Sequence, residues 1–246
     1  MGFFEKIIAY FAGRTDRRHS SMAEAAKNPK SLKEDRQAAI EYFVEMSDCN
    51  IAVPALLQRF EFSLEHGIND TREKEKCMSG IVKYGTEALP FIAEHLKSTS
   101  RIAWPIKMLL KVTDETSVIQ ALKDCLDFGE VAFDQDKTDK NYDILCYLAD
   151  YKLPGYYKEI AHFLTVQDER VRYAAVELLC VQDDQEVPQI VERYLSDDSN
   201  ENTRLRRAVA TAFLTHNWQV RDLETYNKKP VPGFKLSEKR TLVTAS

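Results

Sequence analysis

Between residues 168 and 195 the apolar positions come in two helical bursts separated by a polar turn. Val171, Ala174, Ala175, Leu178 and Leu179 recur at the three-and-four spacing of one helical face, with Arg170, Arg172 and Glu177 between them on the solvent side. Asp168 stands where an N-cap is needed. Residues 182–185, Gln-Asp-Asp-Gln, break the pattern, and Pro188 then sits near the start of a second helix striped by Ile190, Val191, Tyr194 and Leu195.

Looser copies of this two-helix unit fill most of the chain. The pattern predicts pairs at 34–46 and 54–60, 70–82 and 88–96, 101–110 and 118–126, and 142–151 and 154–164. A sixth starts near Asn202 and ends in a reduced helix at 219–226. Pro54 is expected to open its helix, and residues 129–141 read as a long polar loop. Aligning the second helices on Pro54, Pro90, Ile119, Tyr157 and Pro188 gives intervals of 36, 29, 38 and 31 residues. At two, three and six residues past each anchor, every position but Glu159 is apolar. A register held through five anchors marks an internal repeat.

Asp168-x-x-Val171-Arg172-x-x-Ala175, the acidic turn, Val187-Pro188 and Asn202-x-x-Leu205-Arg206-x-x-Val209 resemble a HEAT repeat. The resemblance spans residues 31–227. It implies an all-α, right-handed α-solenoid of about six HEAT-like helix pairs without strands, first helices convex and second helices concave. It also implies a non-enzymatic adaptor or scaffold gripping a protein or peptide partner on its concave face.

The same alignment picks out the contact residues. Four and five positions past the anchors, off the apolar stripe, come Gln58 and Arg59, Glu94 and His95, Lys123 and Asp124, Ala161 and His162, and Glu192 and Arg193. On parallel stacked helices these form a polar ladder along one wall of the groove. Arg170 and Arg172 belong to the convex side.

Charge sharpens the choice of partner. Residues 1–30 carry +3 and residues 228–246 carry +4, so the body between them carries −12 of a net −5. An acidic body suits protein better than a phosphate backbone, and nucleic acid is not expected. The alternative is a HEAT-like DNA-binding enzyme of the alkylpurine DNA glycosylase type, which needs Trp, Asp and Arg on a basic face. Here Trp104 is followed by Pro105 and, four residues on, by Met108.

Other chemistry is sparse. His19, His66, His95, His162 and His216 include no pair at helical ligand spacing, and no glycine-rich phosphate loop or nucleophile turn is present. No cofactor, metal or small-molecule substrate is expected. Cys49, Cys77, Cys125, Cys146 and Cys180 are scattered without paired spacing, and the last four fall on the apolar sides of helices. No apolar run spans a bilayer and no signal sequence is evident, so a cytoplasmic protein is expected.

The two ends differ from the body. Residues 228–246, with two prolines and a glycine, read as a basic flexible tail. Residues 1–30 read as an amphipathic helix and a connector. On the helix, Phe3, Phe4, Ile7, Ile8 and Phe11 share one greasy face followed by Arg14, Arg17 and Arg18. That face either caps the first repeat, the reading preferred here, or makes peripheral membrane contact through residues 2–18. Removal of residues 1–18 is therefore expected to lower thermal stability. A truncated chain that stays equally stable and releases anionic vesicles would instead identify a membrane-facing helix.

Overall fold

The computed structural model describes residues 17–129, 134–196 and 203–245. The helix expected over residues 2–12, with Phe3, Phe4, Ile7, Ile8 and Phe11, lies outside them. Most of the described chain is helical, and the protein is all-α overall. No helix among the described residues is long and apolar enough to cross a membrane. The helices divide between two compact units, Met1–Cys125 and Leu126–Ser246.

The first unit holds α1 (Arg17–Lys27), α2 (Lys33–Glu45), α3 (Cys49–Leu57), α4 (Gly67–Val82), α5 (Leu89–Ser98), α6 (Ala103–Val112) and α7 (Glu115–Lys123). Within it α2 packs on α4 and α4 on α6, while α3 packs on α5. First helices thus stack on first helices, and second on second. Phe43, Leu56, Leu57, Phe60, Ile81, Ile92 and Leu96 fill the space between them. Trp104 on α6 stacks against Phe60 with ring centroids 5.4 Å apart, a packing role.

The second unit holds α8 (Gln135–Leu148), α9 (Tyr157–His162), α10 (Glu169–Cys180), α11 (Val187–Val191), α12 (Thr203–Thr215) and α13 (Leu223–Lys228). Here α10 lies against α8 on one side and α12 on the other, and also contacts α9 and α11. Val171, Ala174, Ala175, Leu178 and Leu179 are all buried, as their spacing requires. Asp168 caps this helix by accepting from the Val171 amide at 3.1 Å. Asp48, Asp114, Asp134 and Asp222 cap other helices in the same way. Each such cap is worth about 1 kcal/mol.

The acidic turn after α10 also has a structural task. Buried Gln182 accepts from the Leu153 amide at 2.6 Å and donates to the Tyr151 carbonyl at 3.1 Å, tying this turn to the preceding one. Asp183 receives Lys152, and Asp184 receives the Gly155 amide. The first unit repeats the device, with Lys83 and Tyr84 donating to the Met46 carbonyl.

Four expectations are corrected. Pro54 lies inside α3 rather than at its start, because Asp48 caps the helix six residues earlier; the carbonyl that loses its donor belongs to exposed Asn50. Residues 135–141 are helical, since Asp134 caps α8 and buried Asn141 exchanges hydrogen bonds with the Asp127 backbone. Cys146 is exposed and Cys125 half-buried, whereas burial pushes the thiols of Cys77 and Cys180 up to about 12, as for core residues.

The fourth correction concerns the C-terminus, expected as a strandless flexible tail. Strand β1 (Phe234–Leu236) pairs antiparallel with β2 (Leu242–Thr244), and Gln219 bridges Thr241. Val231 and Leu242 are buried, and β2 packs on α12. Gly233 supplies the positive φ of 86° that the entry to the hairpin requires. Two buried apolar residues outweigh a composition typical of tails.

Among the described glycines, the tightest approach is at Gly80 on α4. A Cβ there would lie 2.6 Å from Cγ2 of Val44 on α2 and 3.0 Å from Cδ1 of Leu56 on α3. Val44 is β-branched and stiff at χ1, so it cannot swing away cheaply. Gly80→Ala is therefore expected to destabilise by about 1–2 kcal/mol despite alanine's higher helix propensity. Val44→Ala in the same chain should recover part of that loss, giving a non-additive cycle in urea unfolding. Additive effects would mean that the helices part without cost.

Candidate functional site

The helical ladder expected along the second helices does not form as one set. Gln58, Glu94, Lys123 and Glu192 are half-buried, and Asp124, His162 and Arg193 are exposed. Arg59 and His95, however, are 0% and 1% exposed. Neither presents its side chain to a groove. The reason lies in the backbone: residues Gln58–Glu61, Phe163–Thr165 and Glu192–Leu195 are 3-10 turns, and α7 ends at Lys123. Where the period drops from 3.6 toward 3, positions four and five past an anchor no longer share a face.

Arg59 instead sits in a buried charge network. Glu73 on α4 receives Arg36 Nε at 2.8 Å, Arg36 Nη2 at 3.0 Å and Arg59 Nε at 2.8 Å. Arg59 Nη2 also reaches Asp70 at 2.7 Å, and Lys74 meets the other oxygen of Asp70 at 2.7 Å. The Arg59 guanidinium lies 4.3 Å from the Phe62 ring centroid. The network thereby ties α2, the turn after α3, and α4 together. His95 packs beside Phe60 with Nδ1 3.3 Å from Glu61.

Several remaining ladder residues have local partners. The Glu192 carboxylate caps the segment before α13, accepting from the amides of Arg221 at 2.6 Å and Asp222 at 2.8 Å. Asp124 accepts from Gln120, and His162 stands edge-on to Phe128. Arg193 has a different setting.

Arg193 lines a cleft of about 630 Å³ within the second unit, together with Arg170 and Arg172. The sequence had put the last two on the opposite surface. Short α11 and the 3-10 turn after it carry Arg193 and Tyr194 round to the face of α10 that displays Glu169, Arg170, Arg172 and Tyr173. Tyr142 comes from α8, Leu164 from the turn after α9, and Arg204 and Leu205 from the start of α12.

Each of three arginines lies over a tyrosine ring: Arg170 over Tyr142 at 5.5 Å, Arg193 over Tyr194 at 4.9 Å, and Arg204 over Tyr173 at 4.5 Å. Such pairs hold guanidinium groups in place without cancelling their charge. Arg172 is fixed by carbonyls, with Nη1 donating to Val166 at 2.8 Å and Gln167 at 2.6 Å. Burial, together with the bond its hydroxyl donates to Glu177, pushes Tyr173 up to about 12. That ring stays neutral at physiological pH. The site is a preorganised cationic cleft with aromatic walls, suited to an anionic group.

Tyr142, Tyr173 and Arg204 were missed by the periodicity, which placed Tyr194 on a buried stripe, where it is found, and assigned Arg170 and Arg172 to a solvated face. A usable signal did exist, in the dipeptides Arg172-Tyr173 and Arg193-Tyr194. Among the described residues, no group of His, Cys, Asp and Glu is placed to hold a metal ion. Comparison with protein-family models, curated proteins and solved structures gave no match, so the HEAT resemblance rests on the residues that carry it.

The buried network makes a prediction with a definite sign. Burial alone would raise Asp70 and Glu73, but hydrogen bonds from Lys74, Arg59 and the Leu64 amide, and from Arg36 and Arg59 respectively, outweigh it and hold both carboxyls below their usual range. A depressed carboxyl contributes stability that is present above its unfolded pKa, about 4, and lost as pH falls through the folded value. Urea stability is expected to be level above about pH 5 and to fall on acidification. Glu73→Gln strands two arginines on one neutral amide, and should cost about 3–5 kcal/mol near neutrality while flattening the acid limb. An unchanged acid limb in that variant would remove Glu73 from the account.

Proposed function

We propose that the chain is a HEAT-like helical-repeat adaptor that binds an acidic segment of a partner protein, and that the arginine and tyrosine cleft of the second unit makes the contact. One observation carries this reading: four arginines from α10, the turn after α11 and α12 converge on one cleft, three of them laid over tyrosine rings. Arginine and tyrosine are the residues that most often dominate binding at protein interfaces, because they give large contact area with polar ends. The layering of first helices on first helices within each unit supports the HEAT-like architecture. The ladder is retained only at Arg193.

The acidic balance of the body sharpens the point. A concentrated cationic cleft on a chain of net charge −5 steers an anionic segment to one place and away from the rest. The Arg204 side chain is 80% exposed and Arg193 is exposed, so neither holds the fold together. Charge reversal at both, Arg193→Glu with Arg204→Glu, is expected to abolish capture of the partner from native cell extract. Unfolding should move by no more than about 0.5 kcal/mol. Lys123→Glu, in the first unit, should leave capture intact. Loss in both proteins, or in neither, sinks the cleft as the binding site.

A further inference from the structure

The charge balance inside the cleft is uneven, and this deepens the adaptor reading on which it rests. Arg170 is neutralised locally, its Nη2 lying 2.8 Å from Asp139 and 3.0 Å from Asp168. Arg204 faces Glu177 at 3.7 Å. Arg172 and Arg193 have no carboxylate partner among the described residues. Arg172 commits only Nη1, to two backbone carbonyls, which leaves the Nε and Nη2 donors. Arg193 commits one Nη2 bond, 2.9 Å to the neutral Tyr194 hydroxyl. Glu169, the carboxylate on the lining, bonds to none of these arginines.

Two guanidinium groups in one cleft with no carboxylate bonded to either repel each other, and fixing them on carbonyls and a tyrosine ring makes that arrangement persistent. A single carboxylate would neutralise one of them. A phosphate monoester carries about −1.5 to −2 at neutral pH and three acceptor oxygens, charge and acceptors enough for two guanidinium groups. We infer that the cleft of Arg172 and Arg193 recognises a phosphorylated side chain on the partner protein. At about 630 Å³ the space exceeds what a phosphate needs, leaving room for the residues flanking it.

The test uses the full chain and four probes, each titrated calorimetrically: phenyl phosphate, inorganic phosphate, adenosine monophosphate and glutarate. Phenyl phosphate is expected to bind at least tenfold more tightly than glutarate or inorganic phosphate, and no more weakly than the nucleotide. Arg193→Ala, which gives up the exposed side chain's hydrogen bond and ring contact with its neighbour Tyr194, should weaken it tenfold or more with a melting temperature little changed, and Arg193→Lys should recover only part of the affinity. Equal binding of glutarate overturns the phosphate inference and leaves an adaptor for acidic segments. Tighter binding of inorganic phosphate or of the nucleotide overturns the protein source. If no probe binds, the inference fails, and the charge-reversal capture experiment then decides the adaptor reading separately. Undiminished binding of phenyl phosphate to the Arg193→Ala protein overturns the site.

Discussion

None of the described helices can bury its own apolar face. They run from five residues in α11 to sixteen in α4, lengths at which an isolated helix is marginal in water. Each is stable because the next covers it. This mutual covering explains why α10, which has neighbours on both sides, has an apolar stripe so complete, with Val171, Ala174, Ala175, Val176, Leu178 and Leu179 all sealed. It also explains why the turns are bonded to each other: Gln182 and Lys83 fix the spacing between consecutive pairs where the helices themselves do not reach. The C-terminal hairpin follows the same rule, since α12 would otherwise leave an apolar face open beside β2.

Within that scheme, equivalent positions meet opposite fates. Arg59 and Arg193 both lie five residues past an anchor proline, in 3-10 turns after short helices. In the first unit, α4 offers Glu73 and Asp70 at hydrogen-bonding distance, and Arg59 is drawn fully inside. Removing a guanidinium from water costs several kcal/mol, which only such close, multiple pairing can offset. In the second unit the corresponding helix, α12, carries no acid and brings Arg204 to the cleft instead, beside Arg170 and Arg172 of α10. Arg193 therefore stays at the surface, held by a tyrosine ring, and the arginines accumulate in a cleft. One repeat has used its charge to tie helices together. Another keeps its charge exposed at a cleft.

The tyrosines give that cleft its character. A flexible arginine loses rotamer freedom when it binds an anion, a loss reduced when the side chain is already laid on a ring. Arg170, Arg193 and Arg204 are all in that state. Tyr173 adds no negative charge, because its hydroxyl is kept protonated by burial and by Glu177. The cleft is thus organised before any ligand arrives.

Local periodicity was enough to place most of the described helices, the Asp168 cap and the buried faces, because a helix's apolar stripe is written at a local period of 3.6 and needs only nearby residues to be read. It also showed that the pairs repeat. It misjudged Pro54, residues 135–141 and the hairpin, where a cap or a distant apolar partner overrode local composition. The candidate site was legible only at Arg193. Arg170, Arg172 and Arg204 reach it because 3-10 turns rotate successive side chains away from the helical register, and because α8, α10 and α12 lie side by side. Which face a residue shares with another repeat depends on the angle at each turn. That angle is set by packing, and no spacing along the chain records it.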